Sequence, residues 1–430
     1  MGRVAVIGGG ASGMMAAITA ARLGAEVTVY EKNDRVGKKI LATGNGKCNF
    51  SNRDFGKQHY YGNWEKLKGY FDQFSVEDAV DFFRKAGMLV KDKGGYLYPW
   101  PEQASAVLDI LRLEMKRSGV ETELGVDVEK IGIADGDRKG FFIICPDGGK
   151  KTYDAVILAC GGCAAPKTGS DGSGFALAGK MGHHIVPAVP ALVQLRCKDS
   201  FLKITAGVRC WARIGLYEVK RDGGRRFVQE EEGELQFTDY GISGIPVFQM
   251  SRQAAYLVDQ GKRAAASIDL LPQMDRQEFE EMCMCRMGNA PGRTLEEFLV
   301  GLANKKINLM IIKEAGHRPG DEAGELGEKK LRELLHSYKE LWVHIYAANS
   351  FEHAQVTAGG VDLDEVTQGL ESQKVPGIFF AGELLDVDGR CGGYNLQWAW
   401  TSGYIAGRSA AAHGRQRDTK LGKRNRGKQE

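Results

Sequence analysis

Val4-Ala5-Val6-Ile7-Gly8-Gly9-Gly10-Ala11-Ser12-Gly13 stands at the start of the chain and decides its fold. A short apolar run of strand type, Val4 to Ile7, meets a cluster of glycines. Ala11 to Leu23 follows, rich in alanine and methionine and helical in character, and Ala25 to Glu31 (AEVTVYE) is again strand-like. This is a β-α-β unit with G-x-G-x-x-G at its first turn and an acid, Glu31, 18 positions after Gly13. Gly8 permits the tight turn, Gly10 lets backbone approach a pyrophosphate, and Gly13 lets helix pack closely on strand. Ala11 and Ser12 begin a helix whose unpaired N–H groups favour an anion. Glu31 is suited to the adenosine ribose hydroxyls, and its charge would repel a 2′-phosphate. The motif fits FAD or NAD.

The remaining chain suits a multidomain α/β protein. At 430 residues it is too long for one small domain, and its 26% charged content is that of a soluble globular protein. The 57 glycines are nearly twice the usual proportion, without a collagen period, which suggests many tight turns and close approaches to a ligand. Helices are expected over Val76 to Gly87 and Ala104 to Ser118. Strands are expected over Glu121 to Ile131, Gly140 to Cys145 and Tyr153 to Ala159, the last two joined by a hairpin turn at Asp147-Gly148-Gly149. From Ala191 to about Asp269 the chain alternates in strand fashion. Residues 272–340 read as helical, with a capping box at Thr294 and Glu297 and with Leu331, Leu334, Leu335 and Tyr338 at helical spacing. The expected organisation is a Rossmann-type dinucleotide domain (1–189 plus 357–414), an inserted antiparallel β domain (190–271 plus 341–356), a small helical domain (272–340) and a tail (415–430).

A second glycine-rich segment chooses between the two dinucleotides. Ile378-Phe379-Phe380-Ala381 is a buried strand ending in Gly382-Glu383. Asp388 and Gly392-Gly393-Tyr394-Asn395-Leu396-Gln397 then lead into a helix. A Gly-acid pair after a strand suits a pyrophosphate and ribityl chain. A helix N-terminus beside a flavin stabilises its anionic reduced form. An NAD dehydrogenase has no need of this second piece, so FAD is expected. No second G-x-G-x-x-G in strand–helix context occurs, so NAD(P)H binds at most transiently at the flavin.

Four segments together resemble the BaiN/YhiN-like flavoprotein family, which includes aminoacetone-oxidase-like enzymes. They are GGGASG at 8–13, GKKILATGNGKCNFSN at 37–52, GELQFTDYGISG at 233–244 and GELLDVDGRCGGYNLQWAWTSG at 382–403. The resemblance implies FAD, an oxidoreductase, and the domain order read above. It places Gly44, Asn45, Gly46, Lys47, Cys48 and Asn49 beside the isoalloxazine ring, Val128 at the adenine, and Ala159, Cys160 and Gly161 at the ribose. With Lys32, Lys38 and Lys39, and with Gly382, Glu383, Asp388, Gly393, Tyr394, Asn395 and Leu396, these complete the expected cofactor set. Lys39 and Lys47 stand where arginine is common, and Cys160 and Cys391 replace threonine-like residues.

The implied reaction is hydride transfer through the flavin, foremost an NAD(P)H-linked reduction of a C=C bond conjugated to a ketone in a steroid of bile-acid type. Oxygen-dependent amine oxidation is the alternative. Tyr394, Tyr240 and Lys47 are the candidate catalytic residues, on the expectation that the inserted domains cap the flavin. Cys160-Gly161-Gly162-Cys163 reads as small-residue packing rather than a redox dithiol, Trp398 and Trp400 as packing, and His353 as structural. No Cys/His spacing suits a metal.

The other expected partners are few. The tail from Arg415 carries seven basic and two acidic residues, +5, so the +3 chain leaves 3 − 5 = −2 on its body. Nucleic acid is therefore not expected to bind by charge alone. The tail reads as a solvated, disordered terminus, and an RNA-associated flavoprotein stands as a further alternative. With no 18-residue apolar run and scattered cysteines, a cytoplasmic, membrane-free monomer or homodimer is expected.

Overall fold

The computed structural model describes residues 2–134, 140–144, 150–290 and 292–426. The turn expected at Asp147-Gly148-Gly149 and the last four residues of the tail lie outside them. The chain forms two compact units, Met1–Ala188 with Gln355–Glu430, and Val189–Ala354.

The first unit is built on β1 (Arg3–Ile7), α1 (Ala11–Arg22), β2 (Glu26–Glu31), α2 (Lys38–Ala42), β3 (Glu121–Leu124), β4 (Ala155–Leu158), β5 (Val356–Val361), β6 (Ile378–Phe380) and α3 (Tyr394–Arg426). Five strands make a parallel sheet in the order β6-β4-β1-β2-β3. The chain winds outward from β1 to one side and returns to the other side with β4 and β6. The order therefore reverses beside β1, where open α/β sheets bind ligands. β4 and β6 are fully buried and carry continuous apolar runs, as strands covered on both faces must.

Helix α1 is buried from Ser12 to Ala20. It lies so close to α3 that a Cβ on Gly403 or Gly407 would strike the Ser12 or Ala16 carbonyl. Trp398 and Trp400 are core residues; their indole N–H groups donate to the Gly382 and Phe50 carbonyls at 3.1 and 2.9 Å. α3 starts at Tyr394 and continues to Arg426, where the sequence suggested a disordered tail from Arg415.

Two other boundaries differ from the sequence reading. The strand expected over Glu121 to Ile131 ends at Leu124, because Gly125 takes a left-handed φ of 71° and starts a loop. The hairpin partner of Gly140–Ile144 is Lys150–Tyr153, while Ala155–Leu158 enters the parallel sheet.

The second unit holds a closed barrel, in the order Leu195–Cys197, Gly241–Gly244, Arg225–Phe237, Arg209–Val219, Arg263–Asp269, Leu341–Ala348. All its ladders are antiparallel. Helix Ile245–Asp259, in a stretch read as strands, packs on it and buries Val247, Met250 and Ala254. Residues 272–340 are helical, and the Thr294–Glu297 capping box forms. They share one core with the barrel instead of standing apart. Leu331, Leu334, Leu335 and Tyr338 lie among the barrel's apolar residues, and Lys339 pairs with Asp269 at 2.8 Å.

Candidate cofactor site

The glycine turn is set by three different constraints. Gly8 has a φ of 105°, and a side chain there would run into the Ala159 backbone. A Cβ on Gly13 would collide with the Gly8 carbonyl, so this glycine serves the contact between turn and helix. Gly10 is different: nothing lies within 4 Å of where its Cβ would be. The protein alone would accept a side chain there. Gly10 lines a cleft and caps α1 without any side-chain hydrogen bond to the first turn. The space beside it and the free N–H groups suit a pyrophosphate.

That cleft encloses about 1150 Å³ including its open mouth, and all its walls belong to the first unit. Glu31, only 7% exposed, lines it. The Gly9 N–H donates to its Oε2 at 2.9 Å, and the Asn33 N–H and amide donate to its Oε1 at 2.9 and 2.6 Å. Three donors thus hold the carboxylate in place. Lys32 lines the cleft and pairs with Asp171 at 2.6 Å; Lys38 lines it and pairs with Asp34 at 2.7 Å.

The C-terminal piece reaches the same cleft. Lys39 Nζ meets Glu383 Oε2 at 2.6 Å, and the Thr357 N–H donates to Glu383 Oε1 at 2.8 Å. Gln355 and Val356, where the chain re-enters the first unit, also line the cleft. Asn395 and Leu396 bring the first turn of α3 to it. The Asn395 side chain is occupied elsewhere: it exchanges hydrogen bonds with both the N–H and the carbonyl of Gly389, each at 2.8 Å. Its amide braces the loop before α3, so only its backbone and remaining surface can serve a ligand.

Of the expected cofactor residues, Gly8, Gly10, Ala11, Glu31, Lys32, Lys38, Lys39, Val128, Ala159, Cys160, Gly161, Glu383, Asn395 and Leu396 converge on this cleft. Ser12, Gly13 and Gly382 stand just behind it. A Cβ on Gly382 would strike the Ser12 hydroxyl. Gly44, Asn45 and Gly46 form a tight turn with φ of 55, 53 and 82° beyond Thr43, which does line the cleft. Such a run of left-handed residues, with asparagine among them, is a costly conformation of the kind kept at functional sites. Cys48 is buried and Asn49 Oδ1 is buried without a partner. Asp388 and Gly393 lie outside the cleft wall, Asp388 in a two-residue strand paired with Tyr61.

The candidate catalytic side chains come from both units. Tyr394 is buried, stacked on His59 with centroids 4.4 Å apart and edge-on to Tyr60 at 5.7 Å. Burial pushes its phenol above the ordinary tyrosine range, so it stays protonated. Lys47 is an exposed side chain 3.8 Å from Glu102, a carboxylate that Lys91 and Lys93 hold down at about 2. Tyr240 belongs to the second unit, its ring 5.6 Å from the Arg196 guanidinium. His353 is exposed, also in the second unit.

Cys160 donates a weak hydrogen bond to the Ile7 carbonyl at 3.4 Å, and burial pushes its thiol up to about 12. Burial also raises Cys163. A neutral thiol wedged against backbone fits packing, not a reactive dithiol. Sequence reasoning missed Asn33 and Asp171, which hold Glu31 and Lys32, and the Thr168–Ser173 loop beside them. Only the glycines of that loop signalled a turn. Among the described residues, no group of three or more His, Cys, Asp or Glu side chains could hold a metal ion, and no helix is long and apolar enough to cross a membrane.

A parallel sheet with a glycine turn at its switch point, joined by a Gly-Glu strand end and a helix start from the C-terminus, defines a two-piece dinucleotide-binding flavoprotein. The chain belongs to the HI0933-like protein Rossmann domain family, whose profile matches residues 2–409. It is 43% identical over 415 residues to the 3-dehydro-bile acid delta(4,6)-reductase of Clostridium scindens, covering 96% of this chain and 99% of that protein. It is 29% identical over 404 residues to the ribosomal RNA dihydrouridine synthase of Haemophilus influenzae, covering 93% and 96% of the two chains. The protein of that name from Escherichia coli is 28% identical over 416 residues, with 95% and 97% covered. The chain is an FAD-dependent oxidoreductase of this family.

Proposed function

We propose that the chain reduces a C=C bond conjugated to a carbonyl group, with a 3-oxo steroid of bile-acid type as substrate and NAD(P)H as the electron source. The observation that carries this reading is the 43% identity to a bile-acid delta(4,6)-reductase across 96% of the chain. FAD, when bound, supplies hydride transfer at N5. The chain's own groups do the rest. The Gly8–Gly13 turn and α1 N–H groups receive the pyrophosphate, Glu31 the ribose, and Glu383 the ribityl hydroxyls. The first turn of α3 offers its N–H groups to the flavin. Tyr394, kept protonated by burial, is the proposed donor to the substrate carbonyl. No second dinucleotide motif competes for NAD(P)H, so the nicotinamide exchanges at the flavin itself.

A second reading has support in the two relatives named ribosomal RNA dihydrouridine synthase. Dihydrouridine is uridine whose C5=C6 bond, conjugated to the C4 carbonyl, has been saturated, so the flavin chemistry would be the same. The +5 segment from Arg415 would favour a polyanion.

Anaerobic mixing with NADH or NADPH tests the electron source. Rapid bleaching of the visible flavin band is expected. Bleaching by an amine alone, with peroxide formed in air, would replace this reading with amine oxidation. A supplied 3-oxo-4,6-diene steroid and a uridine-containing RNA then separate the two substrate classes.

A further inference from the structure

Three parts of the first unit meet at Thr357, the second residue of β5. Its hydroxyl oxygen accepts the N–H groups of Cys163 and Ala164, at 2.8 and 3.0 Å, in the turn that follows β4. Its own N–H donates to Glu383 Oε1 at 2.8 Å, beyond the end of β6. Thr357 is 2% exposed. The junction leaves no spare room: a Cβ on Gly162 would run into the Thr357 hydroxyl and crowd Glu383. Cys160, Gly161, Val356 and Glu383 all line the cleft, but Thr357 itself does not.

We propose that Thr357 is a positioning residue for the flavin: one threonine fixes both the Cys160–Ala164 turn and the Glu383 carboxylate where they meet at the cleft wall. The inference rests on FAD occupying this cleft. The physical case is the number of obligations met by one residue. One buried and one part-buried backbone donor have the hydroxyl as their acceptor, and a buried donor without an acceptor carries a desolvation cost. The turn must shift if the hydroxyl is lost, taking Gly161 with it. β5 then moves relative to the turn, and the Thr357 N–H carries Glu383 along. Lys39 holds the other oxygen of that carboxylate and would lose its partner's position as well. A threonine that touches no cofactor atom would in this way set the shape of the site.

The test compares Thr357→Val, which keeps shape and removes the acceptor, with Thr357→Ser, which keeps the acceptor. FAD affinity of the apoprotein, the flavin midpoint potential and the apoprotein Tm are measured for each. Thr357→Val is expected to weaken FAD by about tenfold or more, the order expected for lost buried hydrogen bonds, and to shift the midpoint potential. Thr357→Ser should restore both to near the wild-type values. Combined with Glu383→Gln, the valine variant should lose less than the product of the two single losses, since both act on one carboxylate. Gly162→Ala, which pushes on the same hydroxyl, should lower affinity in the same direction and keeps the question answerable if the valine variant does not fold. A lower Tm with unchanged FAD affinity and potential would overturn the proposal, as would a serine variant as weak as the valine one. Wild-type apoprotein that takes up no FAD would instead overturn the cofactor reading beneath it.

Discussion

Lys39 and Glu383 lie 344 positions apart in the chain, and their ammonium and carboxylate groups meet at 2.6 Å. The lysine comes from the short helix after β2 and the acid from the end of β6, so the pair links the two halves of the cofactor cleft. Both side chains are about three-quarters buried, which reduces screening without removing the charges from water. Lys39→Met should weaken FAD binding by about tenfold to a hundredfold, the equivalent of ~1.5–3 kcal/mol for a charge-assisted contact. The apoprotein Tm should change little. Equilibrium dialysis and thermal melts separate the two effects.

The glycine turn makes a sharper contrast. Gly10→Val should give a folded apoprotein that retains no FAD, since only the cleft claims the space at that position. Gly13→Val should destabilise the protein itself by ~1–3 kcal/mol or more through overpacking, because the Gly8 carbonyl occupies the site of its Cβ. Circular dichroism and released-flavin analysis of the two purified variants check this. Equal FAD retention in Gly10→Val and wild type would contradict it.

Cys160 should be inert. Its thiol, raised to about 12 from 9.0, stays protonated when the folded protein is at pH 8, so iodoacetamide should label it only after unfolding. The folded state holds its proton more tightly than the unfolded chain, so this contribution to stability is complete below about pH 9 and is lost as pH rises toward 12. Cys160→Ala should flatten the alkaline fall in Tm and leave flavin reduction intact. Peptide mapping after alkylation at pH 8 gives the direct readout.

Lys47 and Tyr394 should separate cleanly. Lys47 is exposed and is not part of the cleft wall, and Lys47→Met should leave turnover and FAD affinity within about twofold, as for a surface substitution. Tyr394→Ala should cost ~3–5 kcal/mol of stability, since it removes a buried ring packed between His59 and Tyr60. Tyr394→Phe keeps that packing, so any loss of turnover in it measures the hydroxyl alone.

These residues also show which parts of the site were legible in the sequence. Gly8, Gly10, Gly13 and Glu31 could be read because the turn, the helix start and the acid are close in the chain and follow local backbone rules. The strand ending in Gly382-Glu383 could be read for the same reason. The Lys39–Glu383 pair and the Thr357 junction could not, because only tertiary folding brings residues that far apart together. Helix Ile245–Asp259 was missed for a different reason. Pro246 stands in its first turn, where proline is welcome, so a residue type that breaks strands opens this helix. The helix also buries Gln249 and Ser251 among its apolar residues, which blurs its period. Gly125 was the signal that the strand from Glu121 should stop, and the loop it starts puts Val126, Asp127 and Val128 on the cleft.

The central claim is that the reduced flavin of this chain delivers its electrons to a C=C bond conjugated to a carbonyl. The direct measurement is a single anaerobic turnover. Enzyme reduced with one equivalent of dithionite is mixed with a 3-oxo-4,6-diene steroid, and in parallel with a uridine-containing RNA, while flavin absorbance and product mass are followed. Reoxidation of the flavin at the rate at which a product two hydrogens heavier appears is the predicted result. A flavin that stays reduced with both acceptors, and reoxidises only when oxygen is admitted, would contradict it.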